Sequence, residues 1–185
     1  MKFEAHSNLI GQHAFLSASN YHWLNDDLDK LTERYLKSLA IQKGTELHEL
    51  ASSLIKHGVR LPKNHNTLNL YVNDAIGYKM TPEQPLYFSP NCFGTADAIS
   101  FRNNFLRIHD LKTGETDTSM RQLMIYAALF CLEYRYKPDE LEGMELRIYQ
   151  NNEARIYEPT SDEISDVMDK IMIFDKQIEK LKEED

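Results

Sequence analysis

The sequence predicts an α+β chain, and two kinds of patterning predict it. Runs of alternating apolar and polar residues flank short Asn-rich turns, as in 94–101 and 105–112 about Asn103-Asn104. Period-2 runs joined by two such residues form hairpins, because Asn tolerates the positive φ that these turns require. Elsewhere apolar residues recur three and four apart, as in Leu28, Leu31, Tyr35 and Leu39, which is the period of an amphipathic helix.

Taken in order, residues 26–41 predict a first helix opened by an Asp26/Asp27 cap. Residues 44–57 predict a second, with an apolar stripe of Leu47, Leu50, Ala51, Leu54 and Ile55 and an end at Gly58 and Pro62. Thr67 offers a cap for a third helix running to about Tyr78, and the TPEQP segment 81–85 reads as a loop leading into a strand at 86–89. The hairpin follows. Ser119 with Gln122 three residues later fits a capping box for a helix to about Tyr134. Strands near 144–150 and 153–157 flank a second Asn-rich turn, Asn151-Asn152. At the end, Ile164, Val167, Ile171, Phe174, Ile178 and Leu181 fall on the a/d spacing of a coiled coil. Under three heptads is short for an independent coiled coil. Two outcomes stay open there: an amphipathic helix folded back on its own domain, or a surface for self-association or partner docking.

The hairpin carries the chemistry. If Arg102 pairs with Phe105, Asp97 lies directly across from Asp110, and Lys112 points the same way two residues on. Ile99, Phe101, Leu106 and Ile108 share that face and form an apolar floor. Two facing carboxylates at roughly 5 Å repel and destabilise a sheet unless a positive group lies between them. A divalent cation with oxygen ligands is one solution. A surface hairpin with a solvated Asp110–Lys112 pair is the competing account of these residues alone.

Five elements occur in order over residues 16–126: Leu16-Ser17-Ala18-Ser19, Gly44-Thr-Glu-Leu-His48, Gly94-Thr-Ala-Asp97, Asp110-Leu111-Lys112-Thr113-Gly114 and Gln122-Leu-Met-Ile-Tyr126. Together they resemble the signature of the PD-(D/E)XK nuclease superfamily, in its RecB-type, CRISPR-associated and lambda-type exonuclease branch. The chain departs from that pattern at Ala96, where the nominal Pro is absent, and no Cys-Pro follows the Ser-x-Ser. With only Cys92 and Cys131 present, the four-cysteine iron–sulfur staple of some relatives is excluded. Residues 127–185 match no motif.

The resemblance implies a restriction-endonuclease-like α/β/α core, with a central mixed sheet flanked by helices. It also implies divalent-metal-dependent hydrolysis of DNA phosphodiester bonds. Asp97, Asp110 and Lys112 would be catalytic. Asp97 and Asp110, with the Leu111 carbonyl, would hold Mg²⁺ or Mn²⁺, as one or two ions. His48 would add a nitrogen ligand, which favours Mn²⁺ over Mg²⁺ because imidazole suits transition metals. Lys112 would orient the attacking water or stabilise developing charge. Gln122 and Tyr126, four apart and so on one helical face, would contact substrate; for Tyr126, core packing competes with that role. His109 points away from Asp110 and stays outside the site. Exonuclease action, in phage or bacterial DNA recombination, repair or degradation, follows from the branch resembled. A catalytically weak DNA-binding or regulatory relative, or an acidic interaction or inhibitor protein, is the alternative.

Composition bounds the rest. The 185 residues suit a nuclease domain over 1–160 and an acidic amphipathic C-terminal helix over 161–185. Two cysteines suit a reducing compartment, the cytoplasm, or the host's cytoplasm if the chain is phage-encoded. No run near 18 apolar residues predicts a membrane span, and no secretion signal is expected. The net charge of −8 opposes binding to phosphates, but 161–185 carry −5 of it and the remaining residues only −3. Any DNA affinity is expected to be modest and local. Lys30, Arg34, Lys37, Lys43, Lys56, Arg60 and Lys63 are candidates for a basic rim, with a solvated helix face as their competing role.

Overall fold

The computed structural model describes residues 5, 7–9, 11–114 and 118–184. It is an α+β arrangement with a five-stranded mixed open sheet and, among the described residues, four α-helices. By contacts the chain divides into two compact units, 1–43 and 44–185.

In the first unit, 3₁₀ turns at Ser7–Leu9 and Tyr21–Asn25 precede the start of α1 (Leu28–His57). Asp27 Oδ1 accepts from the Lys30 N–H at 2.9 Å, the expected cap. Asp26 pairs with Arg34, and Phe15 meets Tyr35 edge-to-face. The Leu16–Ser19 element is a local turn: the Ser17 carbonyl accepts from Trp23 Nε1 at 3.0 Å, and Ser17 and Ser19 hydroxyls lie 3.3 Å apart.

Residues 26–41 and 44–57 are thus one helix rather than two, and Gly44 lies within it. The end at Gly58 is as expected. Gly58 takes φ +66°, and the Val59 N–H reaches back to the Leu54 carbonyl at 2.9 Å, a Schellman closure. In the second unit, α2 (Thr67–Gly77) is capped by Asn66, whose side chain accepts from the Leu68 and Asn69 N–H groups. Thr67 is therefore not the cap; its hydroxyl accepts from the Asn152 N–H at 2.8 Å and ties α2 to the β4–β5 turn.

The strands β1 (Thr81–Ser89), β2 (Cys92–Arg102), β3 (Phe105–Leu111), β4 (Gly143–Gln150) and β5 (Glu153–Tyr157) lie in sequential order. All neighbours are antiparallel except β3 and β4, which are parallel and joined through α3 (Arg121–Tyr134). The 81–85 segment, expected as a loop, is the first half of β1. Pro82 and Pro85 fall in an edge strand, which has a ladder on one side only, to β2, and is where sheets tolerate proline. The β2–β3 register is the one the sequence predicts, Arg102 opposite Phe105 through Ala98 opposite His109. Asn103 and Asn104 turn it with φ of 50° and 58°, and Asn151 and Asn152 turn β4–β5 with 52° and 63°.

Helices cover the sheet with two apolar clusters. One gathers Leu123, Ala127 and Leu129 of α3 and Ile164 of α4 (Ser161–Glu183) with Ile99, Leu106, Ile108 and Leu146. The other joins Ala51 and Ile55 of α1 and Tyr71, Val72 and Ala75 of α2 to Ala98, Leu111 and Tyr149. The capping box expected at Ser119 does not form among the described residues: Ser119 Oγ accepts from the Arg121 N–H, and the Gln122 side chain is used elsewhere.

α4 resolves half of its alternative. Thr160 and Glu163 form a capping box at its start, Ile164 is fully buried, and Val167 and Ile171 pack on the first cluster. That half folds back on its own unit. Beyond it Phe174 is 59% exposed and Leu181 52%, while Asp175 is held by Ser89 and Asn91. Asp185, one of the acids counted in this segment, lies outside the described residues. No helix among the described residues is long and apolar enough to cross a membrane.

Candidate functional site

Three neighbouring strands each bring one carboxylate to the same level. The β2–β3 register, carried one step past Ala98–His109, sets Asp97 opposite Asp110. The β1–β2 register pairs Pro82 with Ala98 and Gln84 with Ala96, so Glu83 falls opposite Asp97. Glu83 takes φ +50° in the middle of the strand, a local irregularity of the kind that re-aims a side chain.

α1 supplies the fourth group. His48 Nδ1 lies 3.3 Å from Asp97 Oδ2. Single ligand atoms of His48, Glu83 and Asp97 all fall within 4.8 Å of one another, close enough to share a metal ion. The same Asp97 oxygen accepts from the Leu111 N–H at 2.9 Å, so what Leu111 presents to Asp97 is its backbone N–H. The electrostatics follow from this crowding. The contact with Asp97 raises the His48 pKa. Glu83 is raised by partial burial and then by Asp97. Tyr71, 2% exposed, is raised well above an ordinary phenol by burial and by Asp97, Glu83 and Asp110.

Asp110 is not a member of the His48–Glu83–Asp97 group. It is 1% exposed, and burial, then Asp97, push its pKa to about 6. The Lys112 ammonium donates to its Oδ1 at 3.1 Å. Nζ also lies 3.0 Å from Oδ2, yet that buried oxygen has no hydrogen bond among the described residues. The ammonium beside it offsets part of the charge that burial makes costly.

From Lys112 the polar chain continues outward. Nζ donates to Gln122 Oε1 at 3.0 Å, and Gln122 Nε2 donates to the Tyr126 hydroxyl at 3.1 Å. Two glycines make the packing possible. A Cβ on Gly94 would lie 2.9 Å from the Tyr126 ring, and one on Gly44 would lie 2.8 Å from Thr113 Oγ1. Gly94 therefore lets the ring cover β2, and Gly44 lets α1 approach the residue after Lys112.

Comparisons with family models, with curated proteins and with solved structures give no match. The site therefore rests on its own geometry. His48, Asp97, Asp110, Lys112, Gln122 and Tyr126 occupy one connected region, as the sequence suggests. Glu83 and Tyr71 join it without any mark in the sequence pattern. His109 sits apart, fully buried beside Tyr149, with their side chains 3.2 Å apart. Its pKa is lowered by burial, and it faces Glu145 at 3.8 Å. Cys92 and Cys131 are both free thiols.

The basic residues divide. Lys56 lines a cleft with His48 and Glu83, while Arg60 and Lys63 line another with His65, of about 660 Å³. Lys30, Arg34, Lys37 and Lys43 belong to the first unit.

Proposed function

We propose that the chain is a divalent-metal-dependent nuclease of the PD-(D/E)XK type that hydrolyses DNA phosphodiester bonds, and that it acts as an exonuclease. One observation carries this reading. Four sequence elements that resemble the superfamily's signature, spread over residues 44–126, meet at one place: Gly44 against Thr113, His48 against Asp97, Gly94 against Tyr126, and Lys112 between Asp110 and Gln122. A solvated surface hairpin has no reason to collect them.

The donor set fits a metal. His48, Glu83 and Asp97 offer one nitrogen and two carboxylates, and Asp110, paired with Lys112, is a third carboxylate beside them. The nitrogen favours Mn²⁺ over Mg²⁺. When bound, such an ion supplies Lewis-acid polarisation of a phosphoryl oxygen. The chain's own groups do the rest. His48 enters as neutral imidazole, so metal competes with the proton that Asp97 favours. The Leu111 N–H fixes one Asp97 oxygen. Lys112, held between Asp110 and Gln122, places a positive charge where the phosphoryl group gains negative charge. Tyr126 and Gln122 present a hydroxyl and an amide to the substrate from one helical face.

Incubation of the purified protein with end-labelled linear and circular DNA tests this, with Mn²⁺, with Mg²⁺ and with chelator. Shortening of linear DNA, circles intact, and activity abolished by chelator is the expected result. DNA bound but not cut under any metal condition would overturn the catalytic assignment.

A further inference from the structure

A cleft of about 530 Å³ runs along α1 away from the metal-suited group, lined by His48 and Glu83 at one end and by Ser52, Ser53, Lys56 and His57 along its length. It has the makings of a site for an anion. Ser52 is only 6% exposed, and its Oγ is buried with no hydrogen-bond partner among the described residues. Such a hydroxyl is costly unless something polar enters to meet it. The His57 ring is set by its Nδ1–H, which donates to the Ser53 carbonyl at 2.8 Å, so Nε2 is the nitrogen left to meet a ligand. Lys56 adds a charge close enough to offset a small part of the rise that burial and Asp97 impose on Glu83. Glu49, also in the lining, is the one acid there besides Glu83 among the described residues.

A cation in the last turn of a helix is ordinarily explained by the helix dipole. That accounts for Lys56 and His57 taken singly. It does not account for a buried hydroxyl without a hydrogen bond among the described residues, carried by a residue of the same cleft one turn before Lys56 and one turn after His48.

We propose that this cleft is a phosphate subsite: it holds, through Ser52, Lys56 and His57, the backbone phosphate next to the one placed at His48, Glu83 and Asp97. The nucleic-acid strand therefore runs along α1 towards its C-terminal end. This rests on the nuclease reading for the identity of the anion, as a phosphodiester.

The test uses the full chain and a labelled single-stranded oligonucleotide, with binding read by anisotropy in chelator and hydrolysis read separately in Mn²⁺. Lys56→Gln should weaken binding roughly tenfold, lower the salt dependence by about one phosphate contact, and raise KM with kcat unchanged. Ser52→Ala should weaken binding in the same direction while leaving thermal stability equal or higher, since it removes an unbonded polar group. A single uncharged methylphosphonate beside the cleaved position should weaken binding to the parent protein but add little to Lys56→Gln. Hydrolysis with KM, salt dependence and binding unchanged in both variants overturns the subsite and leaves the nuclease reading standing. Lys56-dependent binding without hydrolysis does the reverse. Neither binding nor hydrolysis by the parent protein overturns both.

Discussion

Replacing Asp110 by Asn should stabilise the metal-free protein while abolishing hydrolysis. Asp110 is 1% exposed and titrates at about 6 instead of its ordinary 3.8. At about 1.4 kcal/mol for each tenfold change in proton affinity, keeping it ionised near neutral pH costs folding about 3 kcal/mol. Burial and Asp97 raise this acid's pKa in the folded state, so the penalty is absent below 3.8, grows between 3.8 and about 6, and is complete above. Asn keeps the shape and an acceptor for Lys112 but not the charge. In a chain of this size about 3 kcal/mol corresponds to about 6–12 °C in Tm. Thermal unfolding in chelator should therefore show Asp110→Asn well above the parent protein near neutral pH, with the difference closing at about pH 4. Added Mn²⁺ should raise the parent's Tm more than the variant's. A variant no more stable than the parent in chelator, or one that still hydrolyses DNA, would refute this account of Asp110.

Lys112→Ala should keep Mn²⁺ binding by calorimetry while turnover falls by roughly 10²-fold or more, because it removes charge stabilisation and no ligand; lost metal binding would mean its role is misassigned. Glu83→Gln should weaken Mn²⁺ by roughly tenfold or more if Glu83 is a ligand, and unchanged affinity would reduce the group to His48 and Asp97. Gly94→Ala should lower activity by displacing the Tyr126 ring that a Cβ would meet at 2.9 Å, and adding Tyr126→Ala should remove the destabilisation specific to the clash, as read by a double-mutant cycle. Ile171→Glu with Phe174→Glu should halve the mass seen by light scattering if the exposed end of α4 joins two chains. A parent protein already monomeric would rule that out, and the main effect would then be destabilisation, from a carboxylate replacing the half-buried Ile171 side chain.

The β2–β3 hairpin was legible because two independent signals agreed, period-2 alternation and an Asn-Asn turn, and register follows once both hold. Asp97, Asp110 and Lys112 came with it. Residues 81–85 were not legible because proline is a breaker only where a strand must donate on both sides. At the edge, Pro82 and Pro85 still pair with Ala98 and Thr95, and the Tyr87 N–H finds a partner off the sheet, donating to Glu133 of α3 at 2.8 Å. Gly44 is a different case. It opens the second of two stretches expected as separate helices, and in mid-helix it costs about 1 kcal/mol relative to Ala. It stays because a Cβ there would strike Thr113, a contact invisible until α1 and the end of β3 are placed together.

Gln122 shows why the candidate site was more legible than its supports. As a local signal, Ser119 and Gln122 three apart fit a helix cap, yet the Gln122 side chain bridges Lys112 and Tyr126 instead. A cap satisfies one backbone N–H that water can also satisfy, whereas the bridge holds a charged ammonium against a buried carboxylate. The long-range partner wins because its alternative is the more expensive one. Glu83 is the same case without a local clue. Its signal is the register of a strand that the prolines concealed, and its positive φ falls at the residue whose carboxylate lies near Asp97 and His48. Side chains that meet across the sheet obey that meeting before they obey their neighbours in sequence, so the local pattern fails at Gln122 and Glu83 while it holds for Asp97, Asp110 and Lys112, where turn and alternation agree with the long-range pairing.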